Sequence, residues 1–324
     1  MKQITALGPK KNGIKEITDV KPTDDQILIK NKYVGVCMSE HYDWSTAKEG
    51  HIFGHEPMGY VAEVGKNVTG FKVGDRVSGS WGGGMSEFAV GDPAREIIVK
   101  IPDAIRDEDA ILEPLACMMS AVSKAKVNMP GTPVCVVGAG YMGCGMISLL
   151  KLRGAYVVAV DIRTESLENA KIYGADEVYL ADSAREKFIC KDDPMRPTGF
   201  DVVMDWAESS ESLDLAINLT NVCGQLGVGA YHTGGKRLVD MQQLNFKAIE
   251  CLSIHPREVH LLDIGARNAV KLLASGRWDY LNLPVKVYPM NKFDQAHAEL
   301  ETKYGKYMKA VIDMTMSDGE PFIL

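Results

Sequence analysis

The segment that most constrains this 324-residue chain is Gly138-Ala-Gly140-Tyr-Met-Gly143. It directly follows the apolar run at residues 133–137 and opens a stretch of helical patterning that reaches Leu150. At such a strand-to-helix junction each glycine has a physical task. Gly138 permits the tight turn, Gly140 lets the backbone approach a pyrophosphate, and Gly143 lets the helix pack closely on the strand. The helix N-terminus then offers free N–H groups and the positive end of its dipole to the phosphates. The next apolar run ends in Asp161, an acid placed to accept hydrogen bonds from both ribose hydroxyls of an adenosine. A carboxylate there repels a 2′-phosphate, so the expected cofactor is NAD. Arg163, two residues on, is the feature that points towards NADP. Tyr141 and Met142 share the turn and count as candidate cofactor contacts with Gly138, Gly140, Gly143, Asp161 and Arg163.

The rest of the chain falls into place around that turn. Apolar runs at 134–137, 156–160, 177–179, 201–204 and 225–229 alternate with helical stretches, which predicts a parallel sheet covered on both faces. Residues 1–112 read instead as short strands separated by Gly, Asp and Pro, and the character changes near Glu113. After about residue 254 the pattern is mixed, with strands expected at 282–287 and 309–314 and a helix at 294–302. Periodicity leaves open whether these return to the first domain. A length of 324 residues suits about two domains. The net charge of −7 argues against nucleic-acid and anionic-membrane partners, which need a basic face. Residues 1–5 lack the apolar stretch of a signal peptide, and no segment reaches the roughly 18 apolar residues of a membrane span, so a cytoplasmic protein is expected. Seven scattered cysteines without a Cys-x-x-Cys pair predict no disulfide framework.

One cysteine stands apart. Gly35-Val-Cys37-Met-Ser39-Glu-His41-Tyr42 and Gly54-His55-Glu56-Pro57 place a Cys and a His-Glu pair on separate glycine-bounded loops. Cys and His are preferred zinc ligands; a catalytic zinc takes three protein ligands, of which a carboxylate can complete the set, and keeps one open position.

With these pieces the chain resembles, over essentially its whole length, the zinc-containing medium-chain dehydrogenases of the alcohol dehydrogenase superfamily, in particular the sorbitol, polyol and threonine dehydrogenase-like branch. The matching segments are Gly-Val-Cys37-Met-Ser39-Glu, Gly54-His55-Glu56-Pro57-Met-Gly59, Val64-Gly65-Lys-Asn-Val-Thr-Gly-Phe71-Lys-Val-Gly74-Asp75-Arg76-Val77, Glu113-Pro114-Leu115-Ala116 and the Gly138–Gly143 turn, in the family's order. The resemblance implies an α/β fold: a GroES-like β-rich catalytic domain at 1–113 and 254–324, and a Rossmann doubly wound coenzyme domain at 114–253. It implies Cys37 and His55 as zinc ligands, with Glu56 or Glu113 as the third. Ser39 matches the hydroxyl that binds the substrate alcohol, and the proton then leaves through Tyr42, His41 or solvent. Ala207 and the segment Val228-Gly229-Ala-Tyr231-His232 match the border of the nicotinamide. Trp44 and Trp81 are candidates for pocket or core.

Relatives often carry a lobe of four cysteines around a structural zinc, whereas no cysteine lies between Cys37 and Cys117 here, so one zinc per chain is expected. The implied reaction is zinc-assisted hydride transfer between a secondary alcohol (polyol, sugar, cyclitol or hydroxy acid) and NAD, by a homodimer or homotetramer. The competing readings are a zinc-free enone or quinone reductase of the same superfamily and a non-catalytic dinucleotide-binding protein.

Overall fold

The computed structural model describes residues 1–190, 192–193, 196–302 and 307–324. It forms two compact units. One comprises Met1–Ala116, Asp263–Arg277 and Leu281–Leu324; the other comprises Cys117–Leu262 with Trp278–Tyr280.

The second unit is built on a six-stranded, wholly parallel sheet. Its spatial order is Glu177–Leu180, Tyr156–Asp161, Pro133–Val137, Phe200–Asp205, Thr220–Val228, Glu250–Ser253. In chain order that is third, second, first, fourth, fifth, sixth, the doubly wound arrangement with its switch point between the first and fourth strands. Val134, Cys135, Val136, Val157 and Val160 are fully buried, which is why these strands read as unbroken apolar runs. The sixth strand escaped the sequence reading because it is an edge. Residues of Glu250–Ser253 alternate between half-buried and exposed, so no apolar run marks it. The helix Tyr141–Leu152 packs closely at Gly145, where a Cβ would lie 2.2 Å from Met118 Sδ. Tyr280 fixes the start of that helix by donating its hydroxyl to the Tyr141 carbonyl at 2.5 Å.

The first unit is centred on Ile27–Gly35, which pairs antiparallel with Pro57–Val64 on one side and with Lys309–Asp313 on the other. The C-terminal strands therefore complete the sheet begun by the N-terminal ones. Val285–Pro289 runs parallel to Lys309–Asp313, and Phe322–Ile323 closes the edge. Asp107 ties three neighbouring strands together: it accepts from Arg76 Nη2 at 2.6 Å, Tyr60 at 2.5 Å and Lys32 at 3.1 Å. Trp44 and Trp81 are core residues, buried in two separate apolar clusters of this unit. Trp44 donates to Asp294 at 2.8 Å and stacks on His297. All seven cysteines are free. Among the described residues no helix is long and apolar enough to cross a membrane.

Candidate functional site

Strand pairing explains how Cys37 meets His55 and Glu56. Val34 lies opposite Pro57, so the loop leaving one strand faces the loop entering the other. The Gly35 N–H donates to the Glu56 carbonyl at 2.9 Å and locks the two ends together. Donor atoms of Cys37, His55 and Glu56 all fall within 4.8 Å of one another, the only such group among the described residues. Gly35 is required beside them, because a Cβ there would sit 1.9 Å from Glu56 Oε2. Gly54 turns the second loop with a φ of 103°, in the left-handed region that favours glycine.

Two further residues complete the cluster. Glu40 Oε1 accepts the Gly54 N–H at 2.7 Å and lies 3.1 Å from His55 Nδ1. That contact places the proton on Nδ1 and leaves Nε2 as the free ligand atom, the usual way a carboxylate orients a metal-binding histidine. Lys309 Nζ lies 2.5 Å from Glu56 Oε2 and donates to the Val36 carbonyl at 3.2 Å. Both members of this ion pair are buried. Burial opposes ionisation of Glu56, but the Lys309 charge and then His55 hold it below the usual carboxylate range. Lys309 in turn is raised: burial opposes its charge, and the charges of Glu56 and Cys37 outweigh that.

The fit to zinc follows from this chemistry. The set is one sulfur, one nitrogen and one oxygen, and Glu56 Oε1 is buried with no hydrogen-bond partner. Burial disfavours a charged His55 ring, yet hydrogen bonds to Cys37 and Glu40 and the charges of Glu40 and Glu56 push it up to about 12. A cluster that draws a proton this strongly draws a divalent cation by the same negative charge.

The other expected site residues separate. Ser39 Oγ donates to Cys37 Sγ at 3.2 Å, which places its hydroxyl at the cluster. His41 lies 3.1 Å from Glu301 and its ring packs on Trp44. Tyr42 is exposed, and its carbonyl accepts from Ser45 and Thr46. Glu113 stands in the first turn of Leu112–Ser123, outside the three-donor group, though near enough for its charge to act on Lys309.

In the second unit the three glycines of the turn differ as their tasks require. Gly138 has a φ of 91°, and a Cβ there would lie 2.8 Å from the Trp206 backbone. At Gly143 a Cβ would lie 1.8 Å from the Gly138 carbonyl oxygen. At Gly140 it would meet nothing within 4 Å, so the space a pyrophosphate needs is open. Gly140 also caps the helix without a side-chain hydrogen bond, leaving its first N–H groups for a ligand. These features fit a dinucleotide. Asp161 is buried; its Oδ2 accepts from Ala139 N at 2.8 Å and its Oδ1 from Arg163 N at 2.9 Å. Arg163 Nε lies 3.3 Å from the same carboxylate. Tyr141 and Met142 are half-buried on the helix's first turn. Beyond Trp206, Ala207 N donates to Asp205 Oδ1 at 3.2 Å. Gly229 makes room for the Trp206 ring, 2.8 Å from where its Cβ would be, and Tyr231 is half exposed.

Glu40, Lys309 and Asp205 were not read as site residues from the sequence. Asp205 carried the same signal as Asp161, an acid ending an apolar strand. Lys309 carried none, since only the fold brings it 273 positions back to Val36.

Comparison with known proteins agrees with this geometry. Residues 23–103 match the alcohol dehydrogenase GroES-like domain, and residues 142–260 match the zinc-binding dehydrogenase family. A probable D-xylulose reductase A of Aspergillus clavatus is 27% identical over 330 residues, covering 88% of each chain. A D-arabitol-phosphate dehydrogenase of Enterococcus avium is 26% identical over 319 residues, covering 85% of this chain and 86% of its own. The crystal structure of 2R,3R-butanediol dehydrogenase from Bacillus subtilis superposes with a TM-score of 0.76 at 22% identity, over 96% of this chain and 99% of that one. Both family domains are present in order, and these relatives match over 85–88% of this chain: the chain belongs to the zinc-binding alcohol dehydrogenase family and is an oxidoreductase of that family.

Proposed function

We propose that this protein is an NAD-linked, zinc-dependent dehydrogenase of secondary alcohols in polyols or related hydroxylated molecules. The observation that carries the reading is the sulfur, nitrogen and oxygen trio of half-buried Cys37 and His55 and buried Glu56. It speaks against the zinc-free reductase, which has no use for such ligands, and against a non-catalytic dinucleotide binder. The polyol class rests on the xylulose reductase and arabitol-phosphate dehydrogenase named above.

When bound, zinc supplies Lewis acidity to the substrate hydroxyl and the nicotinamide accepts the hydride. The chain's own residues would do the rest. Cys37, His55 and Glu56 hold the metal, and Glu40 fixes the imidazole. Ser39, with its hydroxyl beside Cys37, binds the substrate oxygen and takes up its proton. Tyr42 is exposed enough to pass that proton to water, whereas His41 is engaged with Glu301. Lys309 keeps Glu56 ionised and ties up one of its oxygens. Glu113 lies close enough to Lys309 to compete for that charge, which suits it to alternate with Glu56 as a ligand.

The exposed edge strand Glu250–Ser253, near exposed Leu238, Met241 and Phe246 in sequence, suits self-association into a dimer or tetramer. No cysteine lies between Cys37 and Cys117, which suits one zinc per chain. Native mass spectrometry of the zinc-loaded protein reads two of these quantities together. One zinc per chain in a dimer or tetramer is expected; two zincs per chain, or a monomer, would refute the corresponding claim.

Asp161 sets the cofactor preference. Its carboxylate is fixed by Ala139 and Arg163 where an adenosine ribose would lie, so a 2′-phosphate meets a negative charge. NAD+ is expected to exceed NADP+ by about tenfold or more in kcat/KM, as one lost charge-assisted contact implies. Steady-state rates with both cofactors measure it, and a ratio favouring NADP+ would assign the site to Arg163 instead.

A further inference from the structure

One buried cation takes no part in the site described above. Lys247 is only 4% exposed. It follows the helix Met241–Phe246, and its Nζ reaches the end of the helix Ser210–Leu219. There it donates to the Ile217 carbonyl at 3.1 Å and to the Asn218 carbonyl at 2.9 Å. Carbonyls in the last turn of a helix lack partners within it, which explains why a lysine is drawn to them. Among the described residues no carboxylate offsets its charge, and burial pushes the ammonium down to about 8.

Two acceptors are what a neutral amine needs. An ammonium has three N–H donors, whereas an amine has two and a lone pair. Losing the third proton here costs no hydrogen bond to the protein and removes a buried charge that has no counter-ion. Lys247 also lines a cavity of about 280 Å³. Gly199, just before the fourth strand, and Thr220, which opens the fifth, line the same cavity. It therefore lies at the opposite end of the parallel sheet from the Gly138 turn, away from the dinucleotide crevice. Its other titratable groups are Cys190, Asp193 and Arg196, of which the last two are exposed.

We propose that Lys247 is an acylation site, whose amine takes the acyl group of a small acyl phosphate admitted by this cavity. The amine nitrogen attacks the acyl carbon, and the bond from that carbon to the phosphate oxygen breaks. Phosphate leaves with the electron pair, the nitrogen gives up one proton to water, and the product is an amide. Arg196 supplies positive charge for the phosphate, Asp193 is the group that opposes it, and the small volume excludes bulky acyl carriers. The amide keeps a single N–H. Acylation therefore releases one of the two carbonyls and removes the cation from the end of Ser210–Leu219.

The test is incubation of the full chain with acetyl phosphate, the rate at each lysine being followed by peptide mass spectrometry. At about pH 7.5 an amine with a pKa of about 8 is about one quarter neutral, against about one thousandth for an ordinary lysine. Its weaker basicity cancels part of that advantage, so Lys247 is expected to react about tenfold faster than the exposed Lys171 and Lys236. Its rate should level off above about pH 9 while theirs continue to rise. In denaturing urea the preference should vanish. Arg196→Gln should slow Lys247 about threefold with acetyl phosphate and leave it unchanged with p-nitrophenyl acetate, a neutral donor, as the loss of one exposed charge contact implies. A Lys247 that reacts no faster than Lys171 and Lys236, or that reacts only once the chain is unfolded, overturns the proposal. An unchanged rate with acetyl phosphate in Arg196→Gln overturns the assignment of an acyl phosphate as the donor.

Discussion

Cys37→Ser and His55→Ala are each expected to strip the zinc and lower kcat/KM by about 10³-fold or more, with NADH affinity unchanged. The size follows from the several kcal/mol that Lewis-acid stabilisation contributes to such a reaction, each 1.36 kcal/mol being a factor of ten. Cofactor binding should survive because the Gly138 turn, Asp161 and Asp205 belong to a unit that contains none of the three ligands. Glu40→Gln should give a graded result. It keeps an acceptor for the His55 Nδ1–H and the Gly54 N–H but removes a charge, so metal affinity should fall by roughly 10–100-fold, the range for residues that orient a ligand. Metal analysis with kinetics at controlled zinc measures both effects. Wild-type turnover in zinc-free Cys37→Ser would end the zinc mechanism.

Lys309→Met should produce the largest loss of stability. It leaves the Glu56 carboxylate buried without its cation, and breaking a buried pair from one side costs about 3–5 kcal/mol. For a chain of this size that corresponds to a melting temperature lower by about 4–7 °C. Removing both charges in Glu56→Gln/Lys309→Met should cost less than the single change, because no lone charge remains. Zinc should restore much of the single variant's loss by acting as the missing partner of Glu56, and none of the double variant's. Thermal unfolding with and without zinc checks this. An unchanged zinc-free melting temperature in Lys309→Met would show that the pair carries no net stability.

Much of this was legible in the sequence, for identifiable reasons. The parallel sheet was visible because its inner strands are buried on both faces and read as continuous apolar runs. The cofactor turn was visible because Gly138 is required by its own positive φ, Gly143 by the Gly138 carbonyl within the same turn, and Gly140 by the openness of that turn. Cys37 and His55-Glu56 were visible as types and spacing, although their meeting depends on the pairing of Val34 with Pro57. What was hidden was non-local or alternating. The edge strand Glu250–Ser253 lacks an apolar run. His41 stood beside Tyr42 and solvent as a relay route, and its contact with Glu301, at 3.1 Å, is made only by the fold. Lys309 lies inside an expected strand, and nothing around it in sequence says that its ammonium ends in a buried cluster near residue 36. Charge pairs made by tertiary structure leave no periodicity to read.

The closure of the first sheet by Lys309–Asp313 also bears on how the protein is made. The Cys117–Leu262 stretch of the cofactor unit is contiguous, so most of its core is available for folding while later codons are still being translated. The metal unit has no such freedom. Ile27–Gly35 precedes the cofactor unit in the chain, yet the strand Lys309–Asp313 that pairs with its end, and the lysine that balances Glu56, follow that unit. Until then residues Tyr33–Gly35 lack the partner on one edge, while Ile27–Lys30 can already pair with Phe88–Gly91, and the ligand cluster lacks its counter-charge. The ligand cluster is therefore completed only after the cofactor unit has been made, and a nascent chain stalled before Lys309 holds Cys37, His55 and Glu56 without the ion pair beside them.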